Sequence, residues 1–289
     1  MTDLPRISHS QIQAWLRCEK MWEYKYRRAW VPKKVPTYFG MGNFIHGKLD
    51  IMYQTWDPED SIGDRWDFMQ ARILEDIDPL GSNSEFVARC MKAMYRYIHE
   101  FSPQIDEGIE VIGSEYNFAV ELVTPKGRHF LLEGFVDLLY KKKGQVIVRD
   151  HKSTGAGKFW HKDDLFYDTQ QTTYIAALRQ LGFDVFRGEI NEINTYDYKD
   201  WAGVPLEKLF QCPYSHRTQE DLDAILLWFG KTVDRMLDEQ DFQRAMSKEC
   251  RRCPYRHPCQ LQLKGRDDST ILSLEFKKKD EGRERLAAP

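Results

Sequence analysis

The 289-residue sequence has no apolar run approaching the length of a membrane span, so no transmembrane helix is expected. Its opening stretch, MTDLPRISHSQIQAW, has neither a basic n-region nor an apolar h-region, so nothing points to secretion and a cytoplasmic location is expected. Net charge is nearly absent too. The 42 basic residues against 45 acidic ones leave -3, which gives no global pull toward nucleic acid and confines any such contact to local patches. No internal repeat is found. Cysteine is scarce: six in the chain do not make a disulfide scaffold, and in a reducing compartment thiols stay free or bind metal.

What is present is the composition of a globular protein, 42% hydrophobic and 30% charged, long enough for one elaborated α/β domain with insertions. Ser10 three residues before Gln13 has capping-box spacing and predicts a helix start at Ser10, with Cys18 about two turns on. YFGMGNFIHGKLDIMY reads as a Gly-rich turn feeding a second helix with His46 near its start. Residues 57–85 are polar and carry breakers. The following segment sets Val87, Cys90, Met91, Met94, Ile98 and Phe101 on one helical stripe, which makes Cys90 a core residue.

From Gly108 the period changes to two. IEVIGSEYNFAVEL, HFLLEGFVDLLY and QVIVRDHKS read as strands, followed by a helix capped by Asp168 and stopped at Gly182, a strand in GEINEINTYDY, and a long amphipathic helix in QEDLDAILLWFGKTVDRMLDEQ. Residues 266–289 are charged and unpatterned and read as a disordered or interaction tail. KMWEYKYRRAWVPKK, residues 20–34, alternates cations with aromatics. It is either a surface that stacks bases and neutralises phosphate, or a helix with Trp22 and Tyr26 buried and its cations solvated.

The sharpest chemistry lies in EGFVDLLYKKKGQVIVRDHKS. A two-residue turn at Lys143-Gly144 sets Asp137 opposite Asp150 across the ladder. Facing carboxylates repel, and a divalent cation such as Mg²⁺ or Mn²⁺ would relieve the repulsion and create a site for phosphate chemistry. Strand alternation puts Lys152 on the same side as Asp150 and turns His151 away. The alternative is that both acids simply mark strand ends, with Lys152 an exposed cation. Glu115 is either a further acid at the rim or an outward-facing strand carboxylate.

Asp137 in GFVD, then Asp150-His151-Lys152, then QQTTY, with His46 upstream in GNFIHG, resembles the PD-(D/E)XK nuclease superfamily in its RecB-like branch. The resemblance implies a restriction-endonuclease-like α/β fold, a mixed sheet flanked by helices. It implies His46, Asp137 and Asp150 as metal ligands, Lys152 as the catalytic lysine, and Gln170 and Tyr174 as supporting and substrate-contacting residues. Val136 stands where the superfamily name has Pro, and Asp150 where Glu is commoner.

Within that branch the chain is similar to the CRISPR-associated and AddB-like exonucleases, in which an early cysteine and a C-terminal C-x2-C-x5-C hold an iron-sulfur cluster. Cys250, Cys253 and Cys259 have that spacing, and Cys18 lies in a segment like the family's N-terminal helix. The resemblance implies a 4Fe-4S cluster on these four thiols, clamping the two ends of the domain. Zinc is the competing occupant, with His257 replacing Cys18 or Cys259. Cys212 fits neither scheme and reads as structural.

The resulting expectation is a nuclease domain over 1–265 with a helical insertion at 51–107, acting as a metal-dependent exonuclease on single-stranded DNA or DNA ends, with recombination or CRISPR-adaptation proteins as partners. A non-cutting iron-sulfur DNA-binding or adaptor subunit and a zinc-stapled interaction protein are the alternatives.

Overall fold

Lys143 and Gly144 both have positive φ, 52° and 79°, the turn that matches the right-handed twist of two flanking strands. The strands it joins pair antiparallel from Lys142↔Gln145 to Leu138↔Arg149, so the predicted register holds and Asp137 falls opposite Asp150 at the next step.

The structure, a computed structural model, describes residues 4–33, 38–75, 84–155, 159 and 164–279. Its strands are β1 (Arg6–Ser8), β2 (Trp30–Pro32), β3 (Ile109–Val123), β4 (His129–Lys142), β5 (Gln145–Thr154), β6 (Val185–Asn194), β7 (Phe210–Gln211), β8 (Tyr214–Ser215) and β9 (Phe276–Lys278). The helices before the central hairpin are α1 (His9–Arg17), α2 (Glu19–Trp22), α3 (Tyr38–Gln54), α4 (Ile62–Glu75), α5 (Ser84–Arg96) and α6 (Ser102–Ile105). Those after it are α7 (Thr169–Gln180), α8 (Leu206–Leu209), α9 (Gln219–Asp238), α10 (Arg256–Leu263) and α11 (Ser269–Glu275). The chain forms two compact units. One comprises Thr37–Phe118 and Phe135–Ile225; the other comprises Met1–Pro36, Ala119–Gly134 and Leu226–Pro289.

In the first unit β4 and β5 are antiparallel, β5 and β6 are parallel, and β7 and β8 both pair antiparallel with β6, giving a mixed sheet. The parallel step needs a crossover, and α7 supplies it. Asp168 caps α7 through a 2.9 Å bond from the Gln171 N–H, as predicted, and Gly182 ends it at φ 91°. Residues 146–151 of β5 are buried without a break, the mark of a strand covered on both faces. Helices α3, α4 and α5 supply Leu49, Met52, Met69, Ile73 and Met94 to the core under the sheet. Beside that core Arg149, only 1% exposed at its side chain, pairs with Asp106 at 2.5 Å and with Glu189 at 2.9 Å.

In the second unit β1 pairs in parallel with the outer part of β4, Arg6 opposite Leu131. The turn after β3 is tied to α9: Thr124 Oγ1 and the Lys126 N–H donate to the Asp234 carboxylate at 2.7 and 3.1 Å. Strand β2 pairs with β9, joining segments at opposite ends of the sequence.

Four expectations change. The first helix is capped by Ser8, which accepts from the Gln11 N–H, so it starts before Ser10. The presumed Gly-rich turn is the first part of α3, which places His46 mid-helix. Gly42 is there for space, because a Cβ on it would come within 2.8 Å of Ser153 Oγ. The segment 266–279, read as a disordered or interaction tail, forms α11 and β9, so it is not unstructured; residues 280–289 of that reading lie outside the described residues. The cations of residues 20–33 are engaged within the fold. Arg28 donates to Asp268 at 3.0 Å, Arg27 lies over the Phe242 ring at 4.9 Å, and Lys20 pairs with Glu23. Cys90 is fully buried, as the helical stripe predicts, and desolvation pushes its thiol up to about 12.

Candidate active site and thiol cluster

The antiparallel ladder stops where the acids begin. Instead of a backbone partner, the His151 N–H has the Asp137 carboxylate, donating to Oδ2 at 2.6 Å. Alternation then places the neighbours as predicted. Lys152 Nζ lies 2.7 Å from Asp150 Oδ2, while the His151 ring turns away, stacks on Tyr53 with centroids 5.5 Å apart, and meets Asn191 Nδ2 at 2.9 Å. From α7, Gln170 Nε2 donates to Asp150 Oδ1 at 3.2 Å, and its Oε1 lies 3.5 Å from Lys152 Nζ. One turn further on, Tyr174 is buried against Phe118 and hydrogen-bonds the Gln170 side chain.

Helix α3 brings His46, whose Nδ1 is 3.6 Å from Asp137 Oδ2. Glu115 completes a group in which His46, Glu115 and Asp137 each present a ligand atom within 4.8 Å of the others, the one such group among the described residues. Asp150, the third ligand expected from the sequence, is outside that group and engaged with Lys152 and Gln170.

Glu115 reaches the site through an irregular backbone. Its φ is 47°, a left-handed conformation that is costly for a non-glycine residue. Glu115 is exposed, in step with Asn117 and Ala119, so the carboxylate meets the site from the outer row of β3. Asp50 was missed altogether. It follows His46 by four positions, hence on the same face of α3, and accepts from Ser114 Oγ at 2.7 Å.

The electrostatics are those of a site crowded with anions. Burial pushes the Asp137 carboxyl up to about 6; the His151 N–H opposes the shift, and Glu115 adds to it. Burial pushes Asp150 up to about 7, against the pull of Lys152 and with the repulsion of Asp137. Glu115 is raised by desolvation and by the charges of Asp50 and Asp150. His46 is lowered by burial, which keeps it neutral and able to ligate. Lys152 is also penalised by burial, but Asp150 more than compensates and its pKa is raised. Burial and mutual repulsion thus favour the protonated forms of these acids over an ordinary carboxyl; a divalent cation in the oxygen-and-imidazole group would displace such protons. The donor set fits a hard ion.

In the second unit the four candidate thiols are neighbours. Burial raises Cys253 to about 11, and the thiols of Cys18, Cys259 and Cys250 add to the shift. Cys253 and Cys259 pack against Tyr24, Tyr255 and Phe276, where Tyr255 stacks on Tyr24 at 5.4 Å and on Phe276 at 5.2 Å. His257 is exposed and pairs with Glu275 at 3.1 Å. Cys212 lies in the first unit, 3.6 Å from Glu189 Oε2, where burial raises its pKa.

A hairpin carrying Asp, Asp and Lys, beside a helix-borne His, on a mixed α/β sheet defines a hydrolytic nuclease scaffold. The sequence profile of the PD-(D/E)XK nuclease superfamily matches residues 6–260, and the chain belongs to that superfamily. No curated protein matches the chain at significance. Among solved structures, a candidate exonuclease from Eubacterium rectale is similar over 86% of this chain and 87% of its own, with a TM-score of 0.50 and 15% identity. SSO0001 is similar over 88% and 85%, with a TM-score of 0.42 and 10% identity. LHK-Exo in complex with dAMP is similar over 66% and 88%, with a TM-score of 0.25 and 13% identity. The likeness to the Eubacterium rectale protein shows a shared fold. Among the described residues no helix is long and apolar enough to cross a membrane.

Proposed function

We propose that the protein is a divalent-metal-dependent DNA exonuclease of the RecB-like branch, carrying an iron-sulfur cluster and working in the cytoplasm on DNA ends or single strands. The observation that carries the reading is the convergence of His46, Glu115 and Asp137 beside the Asp150–Lys152 pair. His46, Glu115 and Asp137 would hold Mg²⁺ or Mn²⁺, with Asp150 turning toward it. When bound, the ion supplies a more acidic water and a polarised phosphate oxygen.

The chain's own residues do the rest. Lys152 keeps its proton beside Asp150, so it acts as a charged donor to the scissile phosphate and the attacking water rather than as a base. Gln170 fixes both the lysine and Asp150, and Tyr174 fixes Gln170. The His151 N–H holds the Asp137 carboxylate in place.

Cys18, Cys250, Cys253 and Cys259 would hold a 4Fe-4S cluster. Their mutual influence at Cys253 supports one shared site. Zinc on the same thiols, with His257 as a substitute ligand, is the competing occupant. Recombination or CRISPR-adaptation proteins are the partners this branch suggests.

The test is degradation of end-labelled DNA with Mn²⁺ or Mg²⁺ by protein purified without oxygen. Wild type is expected to cut. Asp150→Asn and Lys152→Ala should each lose about a hundred-fold or more in rate while keeping most DNA binding, which rests on phosphate contacts elsewhere. Wild-type rates in either variant would remove the assignment.

A further inference from the structure

Immediately before α7, the turn Asp164–Tyr167 presents two large aromatic rings to solvent: Phe166 is 63% and Tyr167 76% exposed. Rings that exposed are ordinarily found on loose loops, yet this turn is anchored where it enters α7. Leu165 is fully buried, and its carbonyl accepts from Arg217 Nη2 and from the Asp168 N–H at 3.1 Å. Arg217 Nε in turn donates to Thr172 Oγ1 at 2.7 Å, and Asp168 is itself buried as the cap of α7. The fold therefore ties the backbone down at Leu165 and Asp168 and leaves the rings in water, which opposes the hydrophobic effect and marks a contact surface.

The two rings meet edge to face, centroids 5.3 Å apart and planes at 88°, so an exposed pair offers open π-faces in two directions. Their position identifies what they meet. Tyr167 is three residues before Gln170, which bonds Asp150. Three residues reach at most about 11 Å, so the turn that carries the rings lies close to the end of α7 that presents Gln170 to the Asp150–Lys152 pair.

We infer that Phe166 and Tyr167 form a stacking platform for an unpaired base next to the bond being cut. The inference rests on the DNA-exonuclease reading above and narrows it to single-stranded ends or ends that fray on binding. Aromatic stacking suits such a role because every base has a π-face, so the platform grips a strand without reading its sequence.

The test measures binding by fluorescence anisotropy, with Ca²⁺ in place of the catalytic ion, using single-stranded oligonucleotides that carry either normal or abasic residues at the 5′ or the 3′ end. Wild type should prefer the normal oligonucleotide about ten-fold or more at one end. The Phe166→Ala/Tyr167→Ala variant should bind both forms equally, and Phe166→Trp/Tyr167→Trp should restore the preference. A preference that survives in the alanine variant, or is missing from wild type, overturns the platform. End-labelled DNA with Mn²⁺ separates the two readings: cleavage by wild type without base preference removes the platform alone, whereas no cleavage removes the exonuclease reading beneath it. If the pair instead docks a protein, the alanine variant will match wild type on every oligonucleotide, which also overturns the inference.

Discussion

The His151 backbone N–H donates to Asp137 Oδ2 at 2.6 Å, so the second acidic strand grips the first through its backbone. A side chain held this way keeps its position when its charge is changed but not when it is truncated. Asp137→Asn should retain the hydrogen bond through its amide oxygen and weaken Mn²⁺ binding about ten- to a hundred-fold, as read by calorimetry. Asp137→Ala should lose metal binding further and lower the melting temperature as well.

The raised carboxyls set a pH dependence with a definite sign. Asp137 at about 6 and Asp150 at about 7 compare with ordinary values near 4, so between pH 4 and 7 these two groups hold more protons in the metal-free folded protein than in the unfolded chain. Their contribution to the stability of the chelator-treated protein should fall as pH rises through that window, while the lowered His46 and His151 act in the opposite sense. Added Mn²⁺ should reverse the trend, with its stabilisation growing from pH 6 to 8 as the protons leave. The Asp137→Asn/Asp150→Asn variant should lack that contribution; a metal-free variant whose melting temperature follows the same pH dependence as wild type from pH 5 to 7 would contradict these assignments.

The thiol reading predicts a contrast between two cysteines. Cys18→Ser should lose the brown colour, most of the iron and several degrees of melting temperature, whereas Cys90→Ser should keep the iron at a modest packing cost. His257→Ala should leave metal content unchanged if the four thiols hold a cluster, and lower it if His257 is a zinc ligand. Stoichiometric zinc without iron in anaerobically purified wild type would replace the cluster assignment.

Arg149 is sealed between Asp106 and Glu189 one residue before Asp150. Removing one partner of a buried ion pair costs about 3–5 kcal/mol. Arg149→Ala should therefore shift the urea midpoint sharply downward, and much more than Arg28→Ala, whose partner Asp268 is paired with a partly exposed guanidinium. Arg28→Ala should also leave the salt dependence of DNA binding unchanged, since that cation is used within the fold.

The sequence carried local geometry well. A Lys-Gly turn with positive φ at both positions fixed the hairpin register, and with it the relation of Asp137, Asp150 and Lys152. Asp168, three residues before Gln171, located the start of α7 and so the placement of Gln170 and Tyr174. Glu115 and Asp50 were not legible in the same way. The first stays on the exposed row of β3 and gains its place only from His46 and Asp137 arriving beside it, and the second depends on where α3 crosses the sheet, which Gly42 permits by its lack of a side chain. Residues 266–279 look unstructured because their order comes from distant partners: Asp268 accepts from Tyr24 and Arg28, and β9 pairs with β2.

That last pairing bears on how the chain is made. Trp30–Pro32 has its strand partner at Phe276–Lys278, and the ring of Tyr24 stacks on Tyr255. During synthesis the first segment emerges more than two hundred residues before anything it is built to pack against, exposing Trp, Tyr and a thiol in the meantime. Contacts this distant in sequence form slowly, and a chain waiting for them is open to association with other chains. The Asp137–Asp150 hairpin, by contrast, can close as soon as it leaves the ribosome. Truncation at residue 265 would thus leave the catalytic strands able to form while depriving β2 of its strand partner and Tyr24 of its hydrogen bond to Asp268.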